Sequence, residues 1–84
     1  MLTTMNNSKL SRLALNDQGF AFDPAAGDAF LLNASALSII RGCQAGRADA
    51  ELAEALAEEF QIPLETASRD VSDFMTRLKA MQLV

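Results

Sequence analysis

Residues 20–33, "FAFDPAAGDAFLLN", restrict the fold more than any other part of the chain. Phe20 and Phe22 alternate with small residues, and Phe30 and Leu32 alternate again after a break. A period of two is the mark of a strand, whose successive side chains point to opposite faces. In the break, Asp23 can accept hydrogen bonds from the following amides, Pro24 presets φ and Gly27 supplies a left-handed position. The stretch therefore reads as a hairpin with strands over 19–23 and 28–32. Asn33, a good N-cap residue, then opens a run with helical spacing.

The flanking sequence extends this unit. Upstream, Leu13 and Leu15 indicate a short strand over 10–16, and "NDQG" (16–19) is a turn cluster with Gly19 able to take a positive φ. Residues 1–9 are polar and aperiodic and read as a disordered N-terminus, leaving 10–84 as one domain. Downstream, the first helix carries Leu37 and Ile40 on its apolar face, joined by Ala36 and Cys43, with Gly42 and Gly46 near its end. A second helix spans 49–60, with Leu52, Leu56 and Phe60 in one stripe. Pro63 fits the first position of a third helix over 63–82, and Glu65 lies in that helix's first turn, where its charge suits the dipole. Ala67, Val71, Phe74, Leu78 and Met81 continue inward towards Leu83. A three-stranded meander is too small to stand alone and must pack one face on the helices. The fold class is α+β: a winged helix-turn-helix, with a three-stranded antiparallel meander followed by three helices.

Composition limits the function. Half of the 84 residues are hydrophobic, enough for one modest core. The net charge of −4 disfavours a general affinity for phosphate backbones or anionic membranes. A lone cysteine rules out an intrachain disulfide and fits a reducing, cytoplasmic setting. No run approaches the roughly 18 apolar residues of a membrane span, and the first residues lack a secretory pattern. There is no histidine. Cys43 thus lacks a partner for activation and reads as a small hydrophobe. Asp23 and Asp28 flank a turn, which explains Asp23 better than acid–base duty does. No ligands cluster with metal-binding spacing, and Met75 and Met81 read as core filler. The expectation is a chain with no catalysis, no cofactor and no metal.

"FDPAAGDAFLLNASALSII" and "AELAEALAEEFQIPLETASRDVSDFMTRLKAMQLV" together resemble the PqqD-like family, small peptide chaperones also called RiPP recognition elements. The likeness covers about residues 13–84. It rests on the Phe-Asp-Pro hairpin turn, Leu-Asn before the first helix, and Asp-Val in the third helix before a final leucine segment. The opening "GFAFDPAAGDAFLLN" looks especially like a subgroup named for its association with an HPr-kinase-related protein. The resemblance implies a non-catalytic domain that binds the leader of a ribosomally made precursor peptide as a strand added along strand three. The third helix walls the groove, and a modifying enzyme, such as a radical or kinase-like protein, acts on the peptide.

The residues make that mechanism plausible on physical grounds. An edge strand presents unpaired amides and carbonyls to an extended peptide. The candidate strand is Asp28, Ala29, Phe30, Leu31 and Leu32. Ala29 and Leu31 point to one face, Phe30 and Leu32 to the other, and both sets are apolar, leaving open which is buried. On the third helix, Arg69, Asp70, Asp73, Thr76 and Arg77 lie outside the inward stripe and can select a peptide by charge and hydrogen bonding. The bland reading of these five is a solvated face with i,i+4 pairs worth about 0.2–0.5 kcal/mol each. The rival class is a winged-helix DNA-binding regulator using Arg69, Arg77 and Lys79. Against it, Asp49, Glu51, Glu54, Glu58, Glu59 and Glu65 follow one another without a base between Ala48 and Ser68, which opposes counterion release. A third reading is a structural protein–protein module, and the sequence is compatible with monomer or homodimer.

Overall fold

The computed structural model describes residues 8–83. The disorder expected over 1–9 lies, for residues 1–7, outside the described residues; Ser8 and Lys9 open a helical turn, α1 (Ser8–Ser11). There follow β1 (Ala14–Leu15), β2 (Phe20–Asp23), β3 (Asp28–Leu31), α2 (Ala34–Gln44), α3 (Asp49–Phe60) and α4 (Leu64–Ala80). The three strands form one antiparallel sheet in the order β1-β2-β3. This is the α+β, winged-helix-like arrangement expected, with one departure at its start.

The strand expected over 10–16 shrinks to two residues. Leu10 and Leu13 are three apart, and both are buried against Ile40, Leu78 and Leu83. That spacing serves a helical turn facing a core, and alternation would have sent the two leucines to opposite sides. The Leu10 N–H also bonds the Leu83 carbonyl at 3.2 Å, tying the two ends of the domain together.

Register fixes the rest of the sheet. Phe20 pairs with Leu31, Ala21 with Phe30, Phe22 with Ala29 and Asp23 with Asp28. Gly19 begins this ladder at φ +89°, and a Cβ there would collide with the Leu32 carbonyl, so both conformation and close approach demand glycine. Arg12 grips Asp23 with two nitrogens, at 2.9 and 3.2 Å. The buried carboxylate also accepts the Ala25 and Ala26 amides at 3.0 and 3.4 Å. The turn-capping role of Asp23 stands, and Arg12 fastens that turn to the chain entering β1.

The Asn33 side chain caps α2 by accepting the Ala36 N–H at 2.8 Å. Helix α2 serves two core clusters and is apolar over a wide arc: Ala36, Leu37, Ile39 and Ile40 are buried. Ile39 packs with Leu52, Leu56, Ala67 and Val71 between α2, α3 and α4. Ile40 packs with Leu10, Leu13, Leu78 and Leu83 beneath the sheet. Gly42 lies within α2, where a Cβ would strike Leu52; its role is close packing against α3. Helix α3 starts with the Glu51 carboxylate accepting the Ala48 N–H at 2.8 Å, a capping-box half that needs no polar N-cap side chain. It ends at Gln61, φ +55°. Pro63 stands at the N-cap of α4, one place before the expected first position. On α4, Ala67, Val71 and Leu78 are buried as expected and Phe74 is half-buried. Met81 is exposed, because the helix ends before it and the chain turns through Gln82 at φ +62°. The Leu83 N–H then bonds the Leu78 carbonyl at 2.9 Å, putting Leu83 into the core in place of Met81.

Candidate functional site

The two edges of the sheet differ. Beside β1, the Gln44 side-chain amide donates to the carbonyls of Leu10 and Leu13, 3.0 Å each. Neither edge carries a further described strand, but β3 offers the longer edge, four residues against two in β1. An antiparallel ladder alternates bonded and non-bonded pairs. The Leu32 N–H donates to the Gly19 carbonyl at 2.7 Å, which sets the phase. Gly19–Leu32, Ala21–Phe30 and Asp23–Asp28 are bonded pairs, and Phe20–Leu31 and Phe22–Ala29 are not. The amides and carbonyls of Ala29 and Leu31 therefore point away from β2, along the open edge.

The same alternation decides the faces. Phe30 turns inward with Ala21 and packs against the cluster beneath the sheet. Ala29 and Leu31 face outward, and Leu31 is 81% exposed. Every outward position of the three strands is apolar: Ala14, Phe20, Phe22, Ala29 and Leu31. A sheet face left to water is usually polar, and exposed apolar patches tend to mark interaction sites.

Between the end of β3 and α4 runs a groove of about 400 Å³. Leu31, Leu32, Asp70, Asp73 and Arg77 line it, so the structure brings together five of the ten candidate residues. Asp28 is exposed at the start of β3, and Ala29 contributes edge backbone and outer face. Phe30 gives the edge neither side chain nor outward backbone groups. Arg69 is exposed outside the groove lining, as is Thr76, whose hydroxyl donates to the Ser72 carbonyl at 3.0 Å. The reading also missed part of the lining: Asn33, Ser35, Ala36, Ile39 and Phe74 complete the groove. Ile39 was legible as an apolar residue beside Ile40, but its direction depends on a helix packed on two sides.

Other candidate chemistry is accounted for structurally. The hydrogen bonds from Arg12 hold the Asp23 carboxyl below the usual carboxylate range, with the Ala25 and Ala26 amides assisting against burial. Burial pushes the Cys43 thiol up, the charge of Asp49 adds to this, and the sulfur lies 3.9 Å from that of Met75. Neither group is set up as a nucleophile or a general base. Among the described residues no His, Cys, Asp or Glu cluster suits a metal ion, and no helix is long and apolar enough to cross a membrane.

One family model, coenzyme PQQ synthesis protein D (PqqD), matches residues 18–84. The chain belongs to the PqqD family. The matched span holds β2, β3 and the three long helices, hence both walls of the groove. Among solved structures, a lasso peptide synthetase B1 complexed with the leader peptide is similar to this PqqD-family chain. The TM-score is 0.69 at 28% identity, covering 83% of this chain and 84% of that one. No curated protein matches the sequence.

Proposed function

We propose that this PqqD-family chain is a non-catalytic recognition element that binds the leader segment of a precursor peptide as a fourth strand on β3. The single observation that carries this is the open β3 edge, with the Ala29 and Leu31 backbone groups free beside a groove walled by α4. The similarity to a lasso peptide synthetase B1 complexed with the leader peptide supports the same assignment. Main-chain bonds to the edge give affinity with little sequence demand, and side-chain pockets give selectivity. Ordering an extended peptide costs free energy, so affinity is on the order of micromolar. The peptide is thereby presented to a separate modifying enzyme, of radical or kinase-like type, in the cytoplasm. The DNA-binding alternative has no support in the charge distribution, since the six acids of α3 and the start of α4 are all exposed.

The test is an amide-shift titration by NMR, using a dodecapeptide selected from a random library on the immobilised protein. Shifts should concentrate at residues 28–33 and 66–77. Shifts gathered on α3, around Leu52 to Glu59, would replace strand addition with helix docking.

A further inference from the structure

Two grooves flank the end of β3, and their charged groups are engaged differently. In the groove of about 490 Å³ between the 16–19 turn and α2, Arg41 holds Asp17 at 2.8 Å and Ser38 donates to Glu59 at 2.7 Å. In the β3–α4 groove, Asp70, Asp73 and Arg77 have no hydrogen-bond or ion-pair partner among the described side chains. Asp73 and Arg77 stand four residues apart on α4, where a helical ion pair can close, yet this one stays open. The rest of the lining is mixed, with Asn33 and Ser35 at the start of α2 beside the apolar Leu31, Leu32, Ala36, Ile39 and Phe74.

We infer that this groove takes a lysine or arginine side chain of the bound peptide, with its cationic head between Asp70 and Asp73. The inference rests on the strand-addition reading and adds the chemistry of the side chain selected. Carboxylates three residues apart on a helix lie about 5–6 Å apart at Cβ and share a face. One ammonium or guanidinium can therefore bridge them with charge-assisted hydrogen bonds. Its aliphatic stem lies along Ile39 and Phe74, the usual way long basic side chains cover apolar surface. A purely apolar side chain would dehydrate two carboxylates without giving either a partner, and an acidic one would be repelled. Arg77, a turn further on, confines the cation to the Asp70 end and leaves a donor for a peptide carbonyl or carboxylate.

The experiment is selection of phage-displayed random dodecapeptides on the immobilised full-length protein, followed by calorimetry on synthetic versions. Selected sequences should share Lys or Arg at one aligned position. Replacing that residue by Gln should weaken binding about three- to tenfold, the range for two partly exposed ion pairs. The loss should vanish when the same peptides meet the Asp70→Asn, Asp73→Asn double variant, as a double-mutant cycle requires for a direct contact. The Asp70→Lys, Asp73→Lys variant should instead select Asp or Glu at that position, a switch that a structural role could not produce. Both sites are exposed, so thermal melting should stay unchanged. Peptides that still shift β3 amides but show no basic preference would overturn this inference and leave strand addition standing. If Leu31→Lys leaves every selected peptide bound at full strength, strand addition fails, and this inference with it.

Discussion

Phe30 and Leu31 are adjacent in one strand and should respond oppositely to truncation. Phe30→Ala removes a half-buried ring from the cluster of Leu10, Leu13, Ile40, Leu78 and Leu83. A fully buried Phe→Ala change costs about 3–5 kcal/mol, so half burial implies roughly 2 kcal/mol. A chain of this size has about 4–12 kcal/mol of stability in all. At about 4–8 °C per kcal/mol, melting should fall by roughly 8–16 °C. Leu31 is 81% exposed in the free protein, and Leu31→Ala should change stability by no more than about 0.5 kcal/mol. Binding reverses the order. Burying a leucine side chain is worth about 1.5–3 kcal/mol, and most of that area is still available to a ligand. Losing about 1–2 kcal/mol of it should weaken a selected dodecapeptide about five- to thirtyfold. Circular dichroism melts and calorimetric titrations of both variants supply the four numbers. Equal losses of melting temperature would refute the assigned faces. Undiminished peptide affinity in Leu31→Ala would refute the role of the outer face in binding.

Five further outcomes follow from the same geometry and charge distribution. Phe74 is half-buried and touches both core clusters; Phe74→Ala should cost roughly 2 kcal/mol in urea denaturation, below the about 3–5 kcal/mol of a fully buried ring. Arg77→Ala, on the exposed face, should stay within about 0.5 kcal/mol. The Asp23 carboxyl is held below its unfolded value by Arg12, so its contribution is complete above that value, near pH 4, and is lost on further acidification; Asp23→Asn should flatten the pH–stability curve below about pH 4. Gly19→Ala should lower the melting temperature and broaden the β3 amide resonances, because the Leu32 carbonyl occupies the space a Cβ needs. A duplex DNA titration at about 0.15 M salt should give no saturable, sequence-dependent complex, and one at sub-micromolar protein would revive the winged-helix regulator.

Local signals were enough for most of the elements. Asn33, the 49–60 stripe and the Asp23 turn act within a few residues, and each stands where its chemistry implied. The first strand is present but shorter than its sequence pattern suggests, because alternation between Leu13 and Leu15 competes with the three-residue spacing of Leu10 and Leu13. Only the position of Ile40, Leu78 and Leu83 decides between them. The Arg12 grip on Asp23 was illegible for a related reason, since it joins residues that nothing but the sheet brings together.

The site itself was half legible, and the missing half was phase. Two apolar faces on β3 look equivalent as a string. The hydrogen-bonded pair of Gly19 and Leu32 breaks that equivalence, because ladder alternation propagates from it to every later pair. From that one bond, Ala29 and Leu31 acquire outward backbone groups, and the register puts Leu31 on the exposed face with Phe20. Phe30 loses both roles at once. An edge of this kind has no signature in residue types, since any sequence carries amides and carbonyls. What identifies it is the absence of a neighbouring described strand together with outer side chains that are unusually apolar for a solvated sheet. A one-residue slip of register would bury Leu31 and expose Phe30. Gly19, whose contact with Leu32 fixes the register, therefore controls which groups the open β3 edge presents.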